Sequence, residues 1–129
     1  MPIDRRKFLE SLGAVALVSA LAGAEEGKNM WGMIGKMTVL PGKRDEMIAV
    51  LKSSAANMPG CLSYVVANDA ADENVMWVTE VWDSQASHDA SLSLPAVKEA
   101  IPRGKALVVN FERVAVTTPV WGVGLRQAH

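Results

Sequence analysis

The stretch that decides the fold reads Val75-Met76-Trp77-Val78-Thr79-Glu80-Val81-Trp82, followed at once by Asp83-Ser84. β-Branched and aromatic residues crowd it, the composition suited to a pleated, partly buried surface. Period two puts Met76, Val78, Glu80 and Trp82 on one face and Trp77 on the other. Asp83 and Ser84 carry helix-capping side chains, so a helix is expected to begin where the strand ends.

The neighbouring segments arrange themselves around this strand. The polar turn 69–74 leads back to a strand over Cys61–Asn68, and the connection makes the two a hairpin. Downstream, Gln85–Leu94 reads as a short helix. Pro95, well tolerated in a first helical turn, opens a second helical segment to about Pro102. Ala106–Thr117 is the last strand, and 118–129 forms an apolar, glycine-containing tail. Farther upstream, Met30–Leu40 is the first strand, with Trp31, Met33, Met37 and Val39 on one face. Pro41-Gly42 breaks it. Lys43–Asn57 is then a helix with Met47, Val50, Leu51 and Ala55 in an apolar stripe and Asp45 and Glu46 in the first turn, where the helix dipole favours acid. Asn57-Met58-Pro59-Gly60 ends it.

Strand, helix, strand, strand, helix, strand is the ferredoxin-like split β-α-β order, βαββαβ. It predicts an α+β fold with helices over one face of an antiparallel sheet. Nothing in the chain remains to cover the other face, so a face-to-face homodimer is expected.

Composition narrows the function. With 129 residues the chain has room for one domain. A formal charge of −1 lacks the basic stripe that phosphate backbones require, which argues against nucleic acid as a partner. Nothing in the charge pattern points to an acidic membrane surface. Cys61 is the single cysteine, which rules out an intramolecular disulfide and a cysteine-rich zinc site. It reads as a small buried apolar residue, with a reactive thiol as the other reading.

Residues 1–24 read as an address. Arg5-Arg6-Lys7-Phe8-Leu9 precedes an uncharged run from Leu12 to Ala22, and Ala22-Gly23-Ala24 supplies a small-x-small cleavage pattern. The run is shorter than the roughly 20 apolar residues of a membrane span. The paired arginines resemble a twin-arginine signal. Export to the periplasm or the medium is therefore expected, with no stable membrane insertion once the signal is removed. A retained anchor and an amphipathic helix of the fold are the competing readings; the absence of a polar face counts against the helix.

Three further motifs carry a resemblance. Val39-Leu40-Pro41-Gly42-Lys43-Arg44-Asp45-Glu46 closes the first strand. Pro59-Gly60-Cys61-Leu62-Ser63-Tyr64 opens the second. Trp77-Val78-Thr79-Glu80-Val81-Trp82-Asp83-Ser84 leads from the third into a helix. In this order they resemble the antibiotic-biosynthesis monooxygenase (ABM), or quinol-monooxygenase-like, family over residues 30–117. The resemblance implies a dimeric α+β barrel with a pocket between sheet and helices in each subunit. It also implies oxidation of quinols, anthrones or other aromatic rings by oxygen without metal or flavin. Other relatives degrade haem, isomerise small metabolites or have no known reaction.

The chain departs from the family pattern at one informative place. Many quinol-type members carry a histidine that aligns with Ser91, and often a second that aligns with Ala96. Here the internal histidine is His88, beside Asp89. For the haem-degrading branch Trp82 matches, but the asparagine position falls on Gly35 and the histidine position on about Ile101, which disfavours haem.

A cofactor-free oxygenase needs a base, an apolar pocket and room for oxygen. Histidine suits the base because its ordinary pKa is near neutral. His88 is the candidate, with Asp89 or Glu80 to orient it; the competing reading is an exposed helix residue. Glu80 is the second catalytic candidate, as base or hydrogen-bond acceptor, against a salt bridge to a neighbouring cation. By the family comparison, the face carrying Met76, Val78, Glu80 and Trp82 points at the helices and at the pocket for a small aromatic substrate, where Trp82 is either a ring-stacking wall or plain core. Tyr64 and Asn68 share a face of the second strand and supply polar contacts, although Asn68 also suits a turn. Trp77 faces away, toward the expected dimer core. No P-loop, no Gly-rich dinucleotide loop, no metal-ligand spacing and no G-x-S-x-G elbow occurs, so the expectation is no cofactor and no metal. The function expected is monooxygenation of a quinol or small phenol. The alternative is a non-catalytic module that binds a small aromatic ligand or a partner protein. A pocket holding His88 beside a carboxylate favours the first; one lined only by Met, Val and Trp, with His88 in solvent, favours the second.

Overall fold

The computed structural model describes residues 29–126. Four strands, β1 (Trp31–Val39), β2 (Cys61–Asn68), β3 (Val75–Trp82) and β4 (Val108–Thr117), alternate with α1 (Arg44–Ser54), α2 (Gln85–Ser91) and α3 (Pro95–Lys105). The strands form one sheet in the order β2-β3-β1-β4, with every neighbouring pair antiparallel. This is the ferredoxin-like arrangement that the order of elements predicts. The targeting signal read over 1–24 lies outside the described residues.

The register explains which side chains meet. Trp31 pairs with Trp82, Met33 with Glu80, Gly35 with Val78 and Met37 with Met76. The alternate residues of both central strands therefore face the helices together. Met37, Val39, Met47, Val50, Met76, Ala100 and Leu107 form the main core. Trp31, Met33 and Trp82 form a second cluster at the other end of the sheet, with Met58 and Cys61 against it. Such clusters are the area removed from water that holds a small domain together.

Local chemistry fixes the helix ends. The Ser84 hydroxyl accepts from the Ser87 amide at 3.1 Å, so Ser84 is the N-cap of α2. Gly60 has φ +86°, and a Cβ there would lie 2.5 Å from Ser87 Cβ and 2.8 Å from an Asp83 oxygen. Only glycine lets the start of β2 press this closely against the first turn of α2. In the β2–β3 turn one Asp69 oxygen accepts from the amides of Ala71 and Asp72, and the other accepts from Trp77 Nε1 at 2.8 Å. These bonds, the indole first, hold the Asp69 carboxyl down to about 2.

Two features depart from the sequence reading. Helix α3 does not stop near Pro102 but runs on to Lys105. Its buried residues Ala100 and Gly104 lie one turn apart, and a Cβ at Gly104 would sit 3.1 Å from Met47 Cε. This close packing on α1 outweighs the backbone bond that proline forfeits. Strand β4 also lacks a covered face: Val109, Phe111, Val114 and Val116 are all exposed, and its pairing with β1 is interrupted between Ile34 and Gly35. In the tail, Val120, Trp121 and Val123 are exposed as well. No helix among the described residues is long and apolar enough to cross a membrane.

Candidate active site

Between the sheet and the helices lies a cavity of about 420 Å³, within the range of small-molecule sites. All four strands and all three helices contribute to its wall: Met37 from β1, Tyr64 from β2, Glu80 and Trp82 from β3, Phe111 from β4, Met47 and Val50 from α1, His88 and Ser91 from α2, and Ala100 and Ile101 from α3. Four of the sequence candidates, His88, Glu80, Trp82 and Tyr64, thus share one cavity.

The remaining three lie elsewhere. Met76 and Val78 face the helices but are buried within the packed interior and do not reach the cavity surface. Met76 is enclosed by the main core cluster, and Val78 sits opposite Gly35, across which the Phe111 ring lies. Asn68 pairs with Met76 at the last position of β2 and is exposed, outside the cavity.

Glu80 is only 7% exposed. Its Oε1 accepts a hydrogen bond from Trp82 Nε1 at 2.9 Å, two residues along the same strand face. Burial is the main influence on its carboxyl and raises the pKa above the ordinary value. The Trp82 bond and the electrostatic influence of His88 and Arg113 oppose the rise without cancelling it. Tyr64, opposite Glu80 in the register, is pushed upward too, by burial first and then by the Glu80 charge. Its hydroxyl is a donor that does not ionise near neutral pH.

His88 is 8% exposed and held by aromatic rings. Trp31 lies 4.5 Å from it between ring centroids, tilted by 35°. Trp82 meets it edge-on at 5.5 Å. The Arg113 guanidinium stands 5.8 Å from the Trp31 ring centroid. His88 Nδ1 lies 3.0 Å from Asp89 Oδ1. An ionised carboxylate only accepts, so Nδ1 carries the hydrogen, and in the neutral ring Nε2 holds the lone pair. Ser91 is buried one turn later, and its hydroxyl donates to the His88 carbonyl. The position that aligns with the family histidine therefore belongs to the same cavity wall.

Sequence reading did not single out Trp31 or Phe111 for the site. Period two places Trp31 on the correct face, but its contact with His88 depends on the non-local pairing of Trp31 with Trp82. Phe111 has no comparable signal, because the irregularity in β4 decides which way it points. Cys61 packs beside the Trp31–Trp82 cluster, and burial raises its thiol pKa, the behaviour of an unreactive cysteine. Among the described residues, no group of three His, Cys, Asp or Glu could hold a metal ion.

Comparison with known proteins agrees with this architecture. The model of the family described as antibiotic biosynthesis monooxygenase matches residues 30–103. A crystal structure from Chloroflexus aurantiacus J-10-fl that carries the same family description is 52% identical, covers 75% of this chain and 99% of that one, and superposes with a TM-score of 0.73. A structure from Caulobacter crescentus CB15 shares the fold at 24% identity and a TM-score of 0.64, over 73% of this chain and 92% of that one. An uncharacterized Synechocystis protein is 29% identical over 85 residues. The match covers 64% of this chain, and the chain spans 58% of the length of that curated relative.

The buried carboxyl leads to a stability prediction. Because the folded-state pKa of Glu80 is raised, its contribution to stability is complete below the unfolded value and declines as pH rises through the folded one. Glu80→Gln keeps an acceptor for Trp82 Nε1 and removes the titration. Wild type is expected to lose Tm relative to this variant as pH goes from about 4 to about 8. A thermal unfolding series across that interval checks it; a parallel pH dependence of the two proteins contradicts it.

Proposed function

The chain belongs to the antibiotic biosynthesis monooxygenase family, and from that premise we propose that it oxidises a quinol or small phenol with molecular oxygen. The observation that carries the reading is His88, buried in the wall of an apolar cavity that also holds Glu80 and oriented by Asp89 through Nδ1. An inert aromatic-binding pocket has no need of a base with this arrangement, and this separates the proposal from a non-catalytic module.

The chemistry is self-sufficient in electrons. For a naphthoquinol, one atom of O2 enters a ring carbon, the other leaves as water, and the ring emerges as a hydroxyquinone. The substrate surrenders all four electrons that O2 accepts. The protein's part is to make the ring electron-rich and hold it. His88 Nε2 accepts the hydroxyl proton, with Asp89 holding the ring through Nδ1 and Glu80 in the same cavity wall. Glu80 and Tyr64 hydrogen-bond the ring oxygens, while Trp82 and the apolar wall exclude water.

Two accompanying proposals concern assembly and address. A second copy covers the sheet face away from the helices, which presents Ile34, Val65, Trp77 and Val81. Residues 1–24 direct export and are removed. Mass spectrometry and sedimentation of the protein recovered from its host test both. A chain beginning at Glu25 and a mass of two chains are expected; a chain beginning at Met1, or a single-chain mass, contradicts the respective proposal.

The activity itself is tested by oxygen uptake with a reduced naphthoquinol and with an anthrone. Saturable uptake above autoxidation is expected, and His88→Ala is expected to lower kcat by roughly 100-fold or more. Unchanged uptake in the variant overturns His88 as base. Uptake at the autoxidation rate with both substrates overturns the monooxygenase reading.

A further inference from the structure

The cavity has one polar end, an apolar middle and a single exposed lysine at its other end. Glu80, Tyr64 and His88 occupy the end where β1 begins: Tyr64 pairs with Glu80, Glu80 pairs with Met33, and His88 rests on Trp31 and Trp82. The opposite end is framed by Met37, Gly104, Lys105, Val108 and Phe111. There Phe111 pairs with Met37 and Val108 with Val39. Met33 and Met37 are four residues apart on one strand, about 13 Å. The wall between the two ends is apolar, built from side chains such as Met47, Val50, Val97 and Ala100.

Lys105 is the one Lys or Arg among the described residues lining this cavity. No salt bridge or side-chain hydrogen bond engages its ammonium among the described residues. Arg103, two residues earlier on the same helix, is engaged by Glu99 at 3.9 Å and by Ser53 Oγ at 3.2 Å. A cation in the last turn satisfies the helix dipole wherever its side chain points. Lys105 is exposed to solvent where it borders the cavity, so its ammonium is free to receive an anionic group of a ligand that reaches this end.

We propose that Lys105 is a specificity residue for the reaction assigned above: it receives an anionic group, in the simplest case a carboxylate, at the far end of an aromatic substrate whose hydroxyl lies at Glu80 and His88. The substrate class is then a hydroxylated aromatic acid long enough to reach from Glu80 and His88 to Lys105. The inference rests on the placement of the ring at Glu80 and His88. The apolar middle accommodates the rings or chain between the two polar groups, and Lys105 discriminates between an acid and a neutral group of the same shape.

Equilibrium binding to the full chain, followed by quenching of tryptophan fluorescence, tests this with three probes. These are 2-naphthol, a 6-(hydroxynaphthyl)hexanoate, and the matching hexanamide. Wild type is expected to bind the acid roughly tenfold more tightly than the amide, the scale of one partly solvated charge-assisted contact. Lys105→Met is expected to erase that ratio and Lys105→Arg to keep it. Equal affinity for acid and amide in wild type, or a preference that survives in Lys105→Met, overturns the proposal. If 2-naphthol binds while the acid gains nothing, the specificity residue alone is overturned. If none of the three binds, the placement of the ring is overturned, and the proposal with it.

Discussion

The central constraint is a carboxylate on an apolar face. Strand β3 alternates so that Glu80 follows Met76 and Val78 into the layer between sheet and helices. A buried carboxyl without partners would be costly. Here the next residue on the same face, Trp82, donates its indole hydrogen to Glu80, and the same indole packs nearly perpendicular to His88. His88 in turn rests on Trp31, the cross-strand neighbour of Trp82. One local period-two pattern and one strand pairing thus place the carboxyl, the imidazole and the aromatic wall together. The cavity beside them stays open because Ala100 and Gly104 are small where α3 crosses α1.

Much of the fold was legible in the sequence because its signals are local. Strands β2 and β3 lie where composition and the polar turn place them. Helix α2 begins at the cap that Asp83-Ser84 announces. Helix α3 is different: Pro102 reads locally as a stop, yet the helix continues because Gly104 must pack on Met47, a contact between residues 57 positions apart in the chain. Local propensity is a weak prior when tertiary packing decides.

The site divides along the same line. Glu80, Trp82 and Tyr64 were legible from alternation, and His88 from being the internal histidine beside an acid. Met76 and Val78 share the face of Glu80, but alternation alone does not say where along a face the packed core ends and the cavity begins. Asn68 shares the face of Tyr64 but lies at the end of its strand, away from the cavity. The roles of Trp31 and Phe111 depend on register and on the irregularity in β4, neither of which is written in a short window of sequence. The family resemblance located the pocket, while the shift from the family position at Ser91 to His88 became interpretable only when both proved to line one wall.

The central claim is that His88 and the Glu80–Trp82 pair meet an aromatic hydroxyl in one cavity. Its most direct test is the nitrogen NMR signal of the His88 imidazole as a redox-stable naphthol is added. His88 Nε2 and Trp82 Nε1 are expected to shift together and saturably, while Trp77 Nε1, bonded to Asp69 on the opposite face, stays in place. Binding that leaves His88 and Trp82 unmoved would contradict it.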